Sequence, residues 1–127
     1  MRVFETVLYS SDLPAMERFY HEVMGLELIS RSELVISFRL EGSVLLIFDP
    51  LMSRPEGREV PSHGTTGEGH IAFATREDEV DGWLHRLAEA NVEIEAIVNW
   101  KQGGRSIYFR DPEGNSLECA EPKLWNL

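Results

Sequence analysis

The stretch "IYFRDPEGNSLE", Ile107 to Glu118, consists of two alternating runs of apolar and polar residues joined by a short polar segment. Pro112, Gly114 and Asn115 in that segment are the residue types of a tight turn, because proline presets φ while glycine and asparagine tolerate positive φ. The stretch therefore predicts a β-hairpin. Side chains alternate between the faces of a strand, so Glu118 lies on the face opposite its apolar neighbours.

A second stretch, "GHIAF" from Gly69 to Phe73, raises the question of what its histidine does. The run alternates like a half-buried strand, with Ile71 and Phe73 on one face and His70 on the other. A lone histidine on a strand is ordinarily a structural residue with a hydrogen-bond partner. Whether His70 is instead a metal ligand depends on what the rest of the chain places beside it.

Composition restricts both the size and the partners of the protein. The chain has 127 residues, 43% hydrophobic and 9% aromatic, which is enough for one core and too few for two ordinary domains. Its formal net charge of −10 would repel phosphate backbones and anionic lipid. We expect a single domain with a small-molecule substrate, and neither nucleic acid nor a membrane as partner.

The N-terminal residues and the single cysteine suggest where the protein is located. "MRVFETVLYS" begins a strand pattern at once and lacks a secretory signal, and no stretch is apolar for long enough to cross a bilayer. Cys119 is the only cysteine, so no intrachain disulfide can form. The simplest interpretation is a cytoplasmic protein in which Cys119 is buried in a strand, although a reactive nucleophile is an alternative.

The first half of the chain predicts the order β-α-β-β-β. "VFETVLYS" alternates as a strand, and Ser11 or Asp12 then caps a helix that has Pro14 in its first turn and Gly25 at its end. Three short strand patterns follow, "LELISRS", "LVISFRL" and "SVLLIFDP". The segment "LMSRPEGREVPSHGTTGEG" is rich in proline and glycine and predicts a linker or surface loop.

The second half repeats that order. "HIAFAT" predicts a strand, "REDEVDGWLHRLAEAN" a helix, and "VEIEAIVNW", "SIYFRD" and "NSLECAE" three further strands. We expect α+β architecture, with two tandem modules that form a cupped mixed sheet around a central cavity. Module 1 covers residues 1–52, the linker 53–68 and module 2 69–123, with boundaries good to about three residues.

Registering the two halves against each other identifies equivalent positions. Aligning "YSSD" with "ATRE" pairs Glu5 with His70, and aligning the two "EG" turns pairs Leu46 with Glu118. Three of these four positions are residue types that bind metals. A carboxylate that points into a sheet face is costly unless a cation or a partner balances it, so a divalent ion shared by Glu5, His70 and Glu118 would explain the pattern.

The chain resembles the vicinal oxygen chelate superfamily, which includes glyoxalase I, fosfomycin and bleomycin resistance proteins and extradiol dioxygenases. The resemblance rests on "ETVLYSSDLPAMERFYHEVMGLEL", "GHIAF" and "IYFRDPEGNSLE", of which the last is the most specific. It implies a homodimer of β-α-β-β-β modules with metal ligands on the opening and closing strands. His70 then matches the histidine ligand of the second module and Glu118 the final glutamate ligand, which is also a possible base.

Two positions depart from the family pattern. Glu5 stands where most metal-binding members have histidine, and Leu46 stands where glyoxalase I has a further glutamate. Both departures argue against glyoxalase I. One histidine and two carboxylates leave open positions for a chelating substrate, and they favour manganese or ferrous iron without excluding zinc or nickel.

Other side chains are weaker candidates for the site. His63, in the linker, could act as acid or base, although simple surface exposure is the more ordinary interpretation. Trp100 and Arg105 flank the loop "KQGGR" and could cover an anionic substrate, with an ordinary hairpin connection as the alternative. Tyr9 and Tyr108 could line the pocket or belong to the core.

The sequence favours a metal-dependent enzyme that acts on a small, oxygen-rich substrate, as a lyase, isomerase, dioxygenase or transferase. The metal would polarise two adjacent substrate oxygens and stabilise negative charge that develops on them. The alternative is a metal-free protein that sequesters a small molecule, as bleomycin resistance proteins do. Fold alone does not separate these activities, because one scaffold hosts many reactions.

Overall fold

The computed structural model describes residues 1–127 and divides into two compact units, Met1–Gly67 (unit 1) and Glu68–Leu127 (unit 2). Each unit contains one four-stranded mixed sheet in which the strand order is first, fourth, third, second. The predicted α+β architecture of tandem β-α-β-β-β modules is confirmed, with two separate four-stranded sheets in place of one continuous sheet.

Unit 1 follows the predicted order with one added helix. Its elements are β1 (Glu5–Tyr9), α1 (Leu13–Arg18), which continues as a π-helical turn (Phe19–Val23), β2 (Glu27–Arg31), β3 (Val35–Leu40), β4 (Ser43–Phe48) and α2 (Pro50–Ser53).

Local sequence signals explain where α1 begins and ends. The Asp12 side chain accepts a hydrogen bond from the backbone N–H of Ala15 at 3.0 Å, so Asp12 caps the helix, and Pro14 occupies its first turn. Gly25 has φ +73°, a conformation that a glycine adopts without steric cost where a helix stops. The side chains of Met16 and Tyr20 are fully buried beneath the sheet.

Unit 2 repeats the order of unit 1. Its elements are β5 (His70–Ala74), a 3-10 turn (Glu77–Glu79), α3 (Val80–Glu89), β6 (Ala96–Asn99), β7 (Arg105–Arg110), β8 (Ser116–Ala120) and a second 3-10 turn (Pro122–Trp125). None of the helices in the two units is both long and apolar enough to span a membrane.

The strand register confirms the internal repeat. In unit 1 the opening strand β1 runs parallel to the closing strand β4, with Glu5 beside Val44 and Val7 beside Leu46. In unit 2 β5 runs parallel to β8, with His70 beside Ser116 and Ala72 beside Glu118. Glu5 and His70 therefore hold the same position in their sheets, as do Leu46 and Glu118.

Two elements differ from the sequence predictions. A short helix, α2, forms at the junction of module 1 and the predicted linker, because the Asp49 carboxylate accepts a hydrogen bond from the N–H of Leu51 at 2.8 Å and Pro50 suits the first turn. The strand predicted over "VEIEAIVNW" is shorter, covering Ala96–Asn99 only. Just before this strand, the Glu95 carboxylate forms an ion pair with Arg110 at 2.6 Å.

The hairpin turn between β7 and β8 is held by a buried side-chain network. Asp111 accepts hydrogen bonds from the backbone N–H of Asn115 at 2.9 Å and from the Asn115 side-chain amide at 2.8 Å. The side-chain oxygen Oδ1 of Asn115 in turn accepts a hydrogen bond from the backbone N–H of Gly69 at 2.7 Å. The turn therefore also fixes the start of β5, immediately before His70.

Replacing Asn115 by alanine should weaken this connection. Asn115 is only 2% exposed, so Asn115→Ala leaves the Asp111 carboxylate and the Gly69 N–H short of a buried partner, and we expect a loss of about 1–3 kcal/mol in the free energy of unfolding. Urea unfolding followed by circular dichroism measures it. Asn99→Ala, at an exposed strand position, is the matched control and should change stability by less than about 0.5 kcal/mol. Equal losses of stability in both variants would contradict a stabilising role for the Asn115 hydrogen bonds.

Candidate metal and substrate site

One face of the unit 2 sheet brings two predicted ligands together. His70 on β5 and Glu118 on β8 lie on the same face, and His70 Nε2 is 3.4 Å from Glu118 Oε2. The Glu118 side chain is only 10% exposed, while that of His70 is 51% exposed. A deeply set carboxylate thus faces an imidazole that remains open to ligands.

The hydrogen bond at His70 Nδ1 determines whether Nε2 carries a proton. Nδ1 lies 3.0 Å from the backbone carbonyl of Ser116, which can only accept, so Nδ1 carries the proton. In the neutral ring Nε2 then presents a lone pair to the Glu118 carboxylate. Two acceptors in this position repel each other unless a proton or a cation lies between them. A backbone carbonyl that orients a histidine in this way is typical of metal-ligating imidazoles.

Tyr108 on β7 completes this group. It lies directly beside Glu118 in the sheet register, and its ring stacks against His70 with 6.4 Å between ring centroids. Burial, followed by its hydrogen bond to the Glu118 carboxylate, raises the pKa of the Tyr108 hydroxyl above its ordinary value. The hydroxyl therefore stays protonated at neutral pH and acts as a donor toward Glu118.

Trp100 joins the same face through Ser106. The Trp100 indole N–H donates a hydrogen bond of 2.7 Å to the Ser106 hydroxyl, and Ser106 also interacts with the Tyr108 hydroxyl. A continuous polar network thus runs from Trp100 through Tyr108 to Glu118. Ser106 was not predicted from the sequence, although its position two residues before Tyr108 on the same strand face is the signal that identifies it.

Arg105 stands apart from this group. Alternation along β7 places it on the face opposite Ser106 and Tyr108. Its guanidinium binds Asp81 of α3 at 2.8 Å, and its backbone N–H donates to Glu121 at 2.6 Å. The structure therefore engages this side chain on the helix-bearing side of the sheet, away from His70 and Glu118.

In unit 1 the equivalent positions on β1 and β4 are largely apolar. Glu5 is exposed at the start of β1, and the positions beside it on the same face are Val7, Val44 and Leu46. Leu46 occupies the position that Glu118 has in unit 2, so the opening and closing strands of unit 1 offer one carboxylate on this face rather than a histidine and carboxylate pair.

An aromatic group lies at the other end of this face. The Tyr9 hydroxyl is 2.8 Å from His63 Nδ1, and the His63 ring meets the Phe48 ring edge-on with 4.7 Å between centroids. His63 is half-buried, so the expectation of simple surface exposure is not what the structure shows. Phe48 was not predicted from the sequence as part of this group, although Phe48 pairs with Tyr9 in the register of β1 and β4.

The structure contains no group of three or more His, Cys, Asp or Glu side chains arranged to hold a metal ion. The pair formed by His70 and Glu118 belongs to unit 2 and Glu5 belongs to unit 1. The donor chemistry of the pair, one imidazole nitrogen and one carboxylate oxygen, nevertheless suits a divalent ion. The three-ligand set stays a prediction.

Cys119 takes no part in the candidate chemistry. It is fully buried on the face of β8 opposite Glu118, and burial raises the pKa of its thiol to about 12. A thiol that stays protonated and inaccessible is a poor nucleophile, so the prediction of a buried strand residue is confirmed.

The chain belongs to the glyoxalase/bleomycin resistance protein/dioxygenase superfamily, whose family model matches residues 2–119. The match spans both units and includes Glu5, His70 and Glu118. It confirms the resemblance drawn from the opening strands and the β7–β8 hairpin.

Similar proteins within this superfamily are enzymes by name. The glutathione transferase FosA of Serratia marcescens is 33% identical over 113 residues, covering 85% of this chain and 72% of that protein. The metallothiol transferase FosB of Staphylococcus saprophyticus is 29% identical, covering 88% and 72%. The crystal structure of a lactoylglutathione lyase from Agrobacterium tumefaciens is 38% identical, covering 99% of this chain and 97% of that chain with a TM-score of 0.95.

The raised pKa of Tyr108 has a consequence for stability. A hydroxyl whose pKa is raised on folding contributes stability below its unfolded pKa of 10.0, and that stability is lost as pH rises through the folded pKa. The measurement is an absorbance titration at 295 nm of chelator-treated wild type and of chelator-treated Tyr108→Phe. The difference between the two curves should show one tyrosine that ionises above pH 10.0.

Glu118→Gln separates the two causes of this shift. It removes the carboxylate but retains burial, so the Tyr108 titration should move down in pH while staying above its ordinary value. A Tyr108 that ionises at or below its ordinary pKa in the wild type would contradict the hydrogen bond and the burial described here.

Proposed function

We propose that this protein is a divalent-metal-dependent enzyme that acts on a small, oxygen-rich, metal-chelating molecule, with Glu5, His70 and Glu118 as the metal ligands. The single observation that carries the proposal is the pair in unit 2. His70 Nε2 presents its lone pair to the buried Glu118 carboxylate across 3.4 Å, while the Ser116 carbonyl holds Nδ1. This arrangement is favourable when a cation is shared between the two side chains.

The residue types of the proposed ligand set indicate which ions fit. Two carboxylates and one imidazole form a harder donor set than two imidazoles and one carboxylate, so manganese and ferrous iron suit it better than zinc or nickel. A divalent ion held there would supply positive charge to two adjacent substrate oxygens and stabilise negative charge that develops on them.

The neighbouring residues have separate roles in the proposal. Tyr108 donates its hydroxyl hydrogen toward Glu118 and so fixes the carboxylate that serves as ligand or base. Trp100 braces Tyr108 through Ser106 and contributes to substrate binding. His63, held at Nδ1 by Tyr9, keeps Nε2 available to give or take a proton. The engagement of Arg105 with Asp81 on the other face leaves it outside the proposed site.

The names of the similar proteins support the reaction classes already considered. Two of them are named as transferases and one as a lyase, and two of the names contain glutathione. We therefore test a thiol-bearing substrate first, with lyase and transferase assays, and keep isomerase and dioxygenase activities as alternatives. We also propose a homodimer, because the edge strands β2 and β6 offer unpaired backbone groups that a second chain can cover.

Metal content tests the proposal directly. Untagged wild-type protein should hold near-stoichiometric manganese or iron by elemental analysis, and added metal should raise its melting temperature. His70→Ala and Glu118→Gln should each weaken metal affinity by more than about tenfold, because each removes a direct ligand. Glu5→Gln should do the same if unit 1 contributes the third ligand.

The controls for this experiment are exposed residues of the same types. His85 and Glu89 form an ion pair on the surface of α3, so His85→Ala and Glu89→Gln should leave metal content unchanged. A folded His70→Ala or Glu118→Gln protein that retains the same metal at the wild-type level would refute the ligand assignment. Such a result would make the pair an ordinary structural contact.

A metal-free binding protein is the second candidate, and the apolar positions on β1 and β4 of unit 1 favour it. Val7, Val44 and Leu46 occupy the positions beside Glu5, which is a surface suited to holding an organic molecule rather than an ion.

This candidate predicts a different response to chelation. After complete removal of metal, an aromatic or glutathione-bearing compound that binds should still raise the melting temperature of the wild type. The same compound should stabilise Glu118→Gln equally. Stabilisation that appears only when metal is restored would favour the enzyme and argue against the binding protein.

A further inference from the structure

A cavity of about 490 Å³ opens in unit 1 on the side of the sheet away from Glu5. Ile36 lines this cavity. It lies on one face of the unit 1 sheet, whereas Glu5 and Tyr9 lie on the other face. Leu13 and Pro14 at the start of α1 provide further apolar wall. The cavity is therefore separate from the face that carries the proposed ligands, and its size suits a small organic molecule.

The polar part of the lining is acidic. Glu17, Glu33 and Asp49 contribute three carboxylates, and Arg31 is the single basic residue of the lining. The Arg31 guanidinium lies 3.0 Å from the Glu17 carboxylate and so balances one of the three. The cavity thus combines an apolar wall with a net negative rim.

The internal repeat provides a built-in comparison for Asp49. The N–H of Ser10 bonds to the carbonyl of Phe48 at 2.9 Å, just before Asp49. The equivalent bond in unit 2 runs from the N–H of Thr75 to the carbonyl of Ala120 at 2.9 Å, just before Glu121.

The next bonds in each unit agree with this equivalence. The Asp49 N–H bonds to Leu34 at 2.9 Å, and the Glu121 N–H bonds to Arg105 at 3.2 Å. A proline follows in each case and opens a short helix. Asp49 and Glu121 are therefore equivalent carboxylates.

In unit 2 this carboxylate holds an ammonium group. Lys123 Nζ lies 2.9 Å from Glu121 Oε1 and 2.9 Å from Glu77 Oε2. The residue equivalent to Lys123 in unit 1 is Leu51, which is 72% exposed and brings no charge. The position that the chain fills with its own ammonium in unit 2 is thus left open beside the unit 1 cavity.

We propose that the unit 1 cavity binds a small organic ammonium ion with an apolar body. The ammonium group takes the place beside Asp49 that Lys123 takes beside Glu121, and Glu33 adds to the negative potential there. The apolar body contacts Leu13, Pro14 and Ile36. An anion of the same shape is disfavoured by the rim carboxylates and by the net charge of −10.

Three probes of one shape and different charge test this site. Benzylamine, benzyl alcohol and benzoate are each titrated into isotope-labelled protein and followed by amide chemical shifts. Benzylamine should shift the amides of Ser11, Ser32 and Asp49 in a saturable way, more strongly than benzyl alcohol, while benzoate should leave them unchanged. Equal binding of benzoate, or benzylamine shifts confined to other regions, would overturn the proposal.

A neutralising substitution tests the role of the carboxylate. Asp49→Asn keeps the ability to cap α2, because asparagine caps helices as well as aspartate, and removes the charge. Benzylamine affinity should fall by about threefold or more. Glu89→Gln removes one charge on α3 and controls for the overall field. Equal losses in both variants would show that general attraction, rather than this site, holds the amine.

Supplying the missing ammonium from the chain itself is the second test. Leu51→Lys should fill the position as Lys123 does and weaken benzylamine binding by about threefold or more, whereas Leu51→Gln should bind as the wild type does. Leu51 is exposed, so both variants should fold. Wild-type affinity in Leu51→Lys would overturn the equivalence with Lys123.

Discussion

Parallel pairing between the opening and closing strands of each module is the constraint on which the rest of this structure depends. The pairing of β5 with β8 sets His70 beside Ser116 and brings Glu118 within reach of the same imidazole. A shift of one residue would turn Glu118 toward the apolar side of the sheet. The Asp111 and Asn115 network matters for this reason, since it holds the closing hairpin to the residue that precedes His70.

The two modules share a backbone pattern but have diverged in what they place on it. The positions around His70 and Glu118 in unit 2 are polar, while Val44 and Leu46 make the equivalent positions on β4 of unit 1 apolar. Each module packs most of its apolar core on the other face, so side chains on this face can differ between the modules while that apolar packing is kept. This separation explains how one superfamily can hold lyases, transferases and binding proteins on a single backbone.

Much of the fold could be predicted because its signals are local. The Asp12 cap, the turn glycines and the strand alternation specify each element from neighbouring residues, and the repeat then aligns Glu5 with His70 and Leu46 with Glu118. The bond between Tyr9 and His63 could not be predicted, because its partners are 54 residues apart and the loop that carries His63 has no periodicity. The pairing of Arg105 with Asp81 was hidden for a similar reason, since strand alternation reveals a face but not which helix residue lies over it.

Divergence between equivalent positions also distinguishes structural charges from charges available to a ligand. Glu121 is committed to the fold, because Lys123 and the N–H of Arg105 both bind its carboxylate. Asp49 accepts the N–H of Leu51 and lines an open cavity where no lysine follows. The same argument applies to the ligand positions, where Leu46 shows that the fold does not require a carboxylate. Because unit 1 adopts the same strand pairing with leucine at that position, the pairing alone does not account for Glu118.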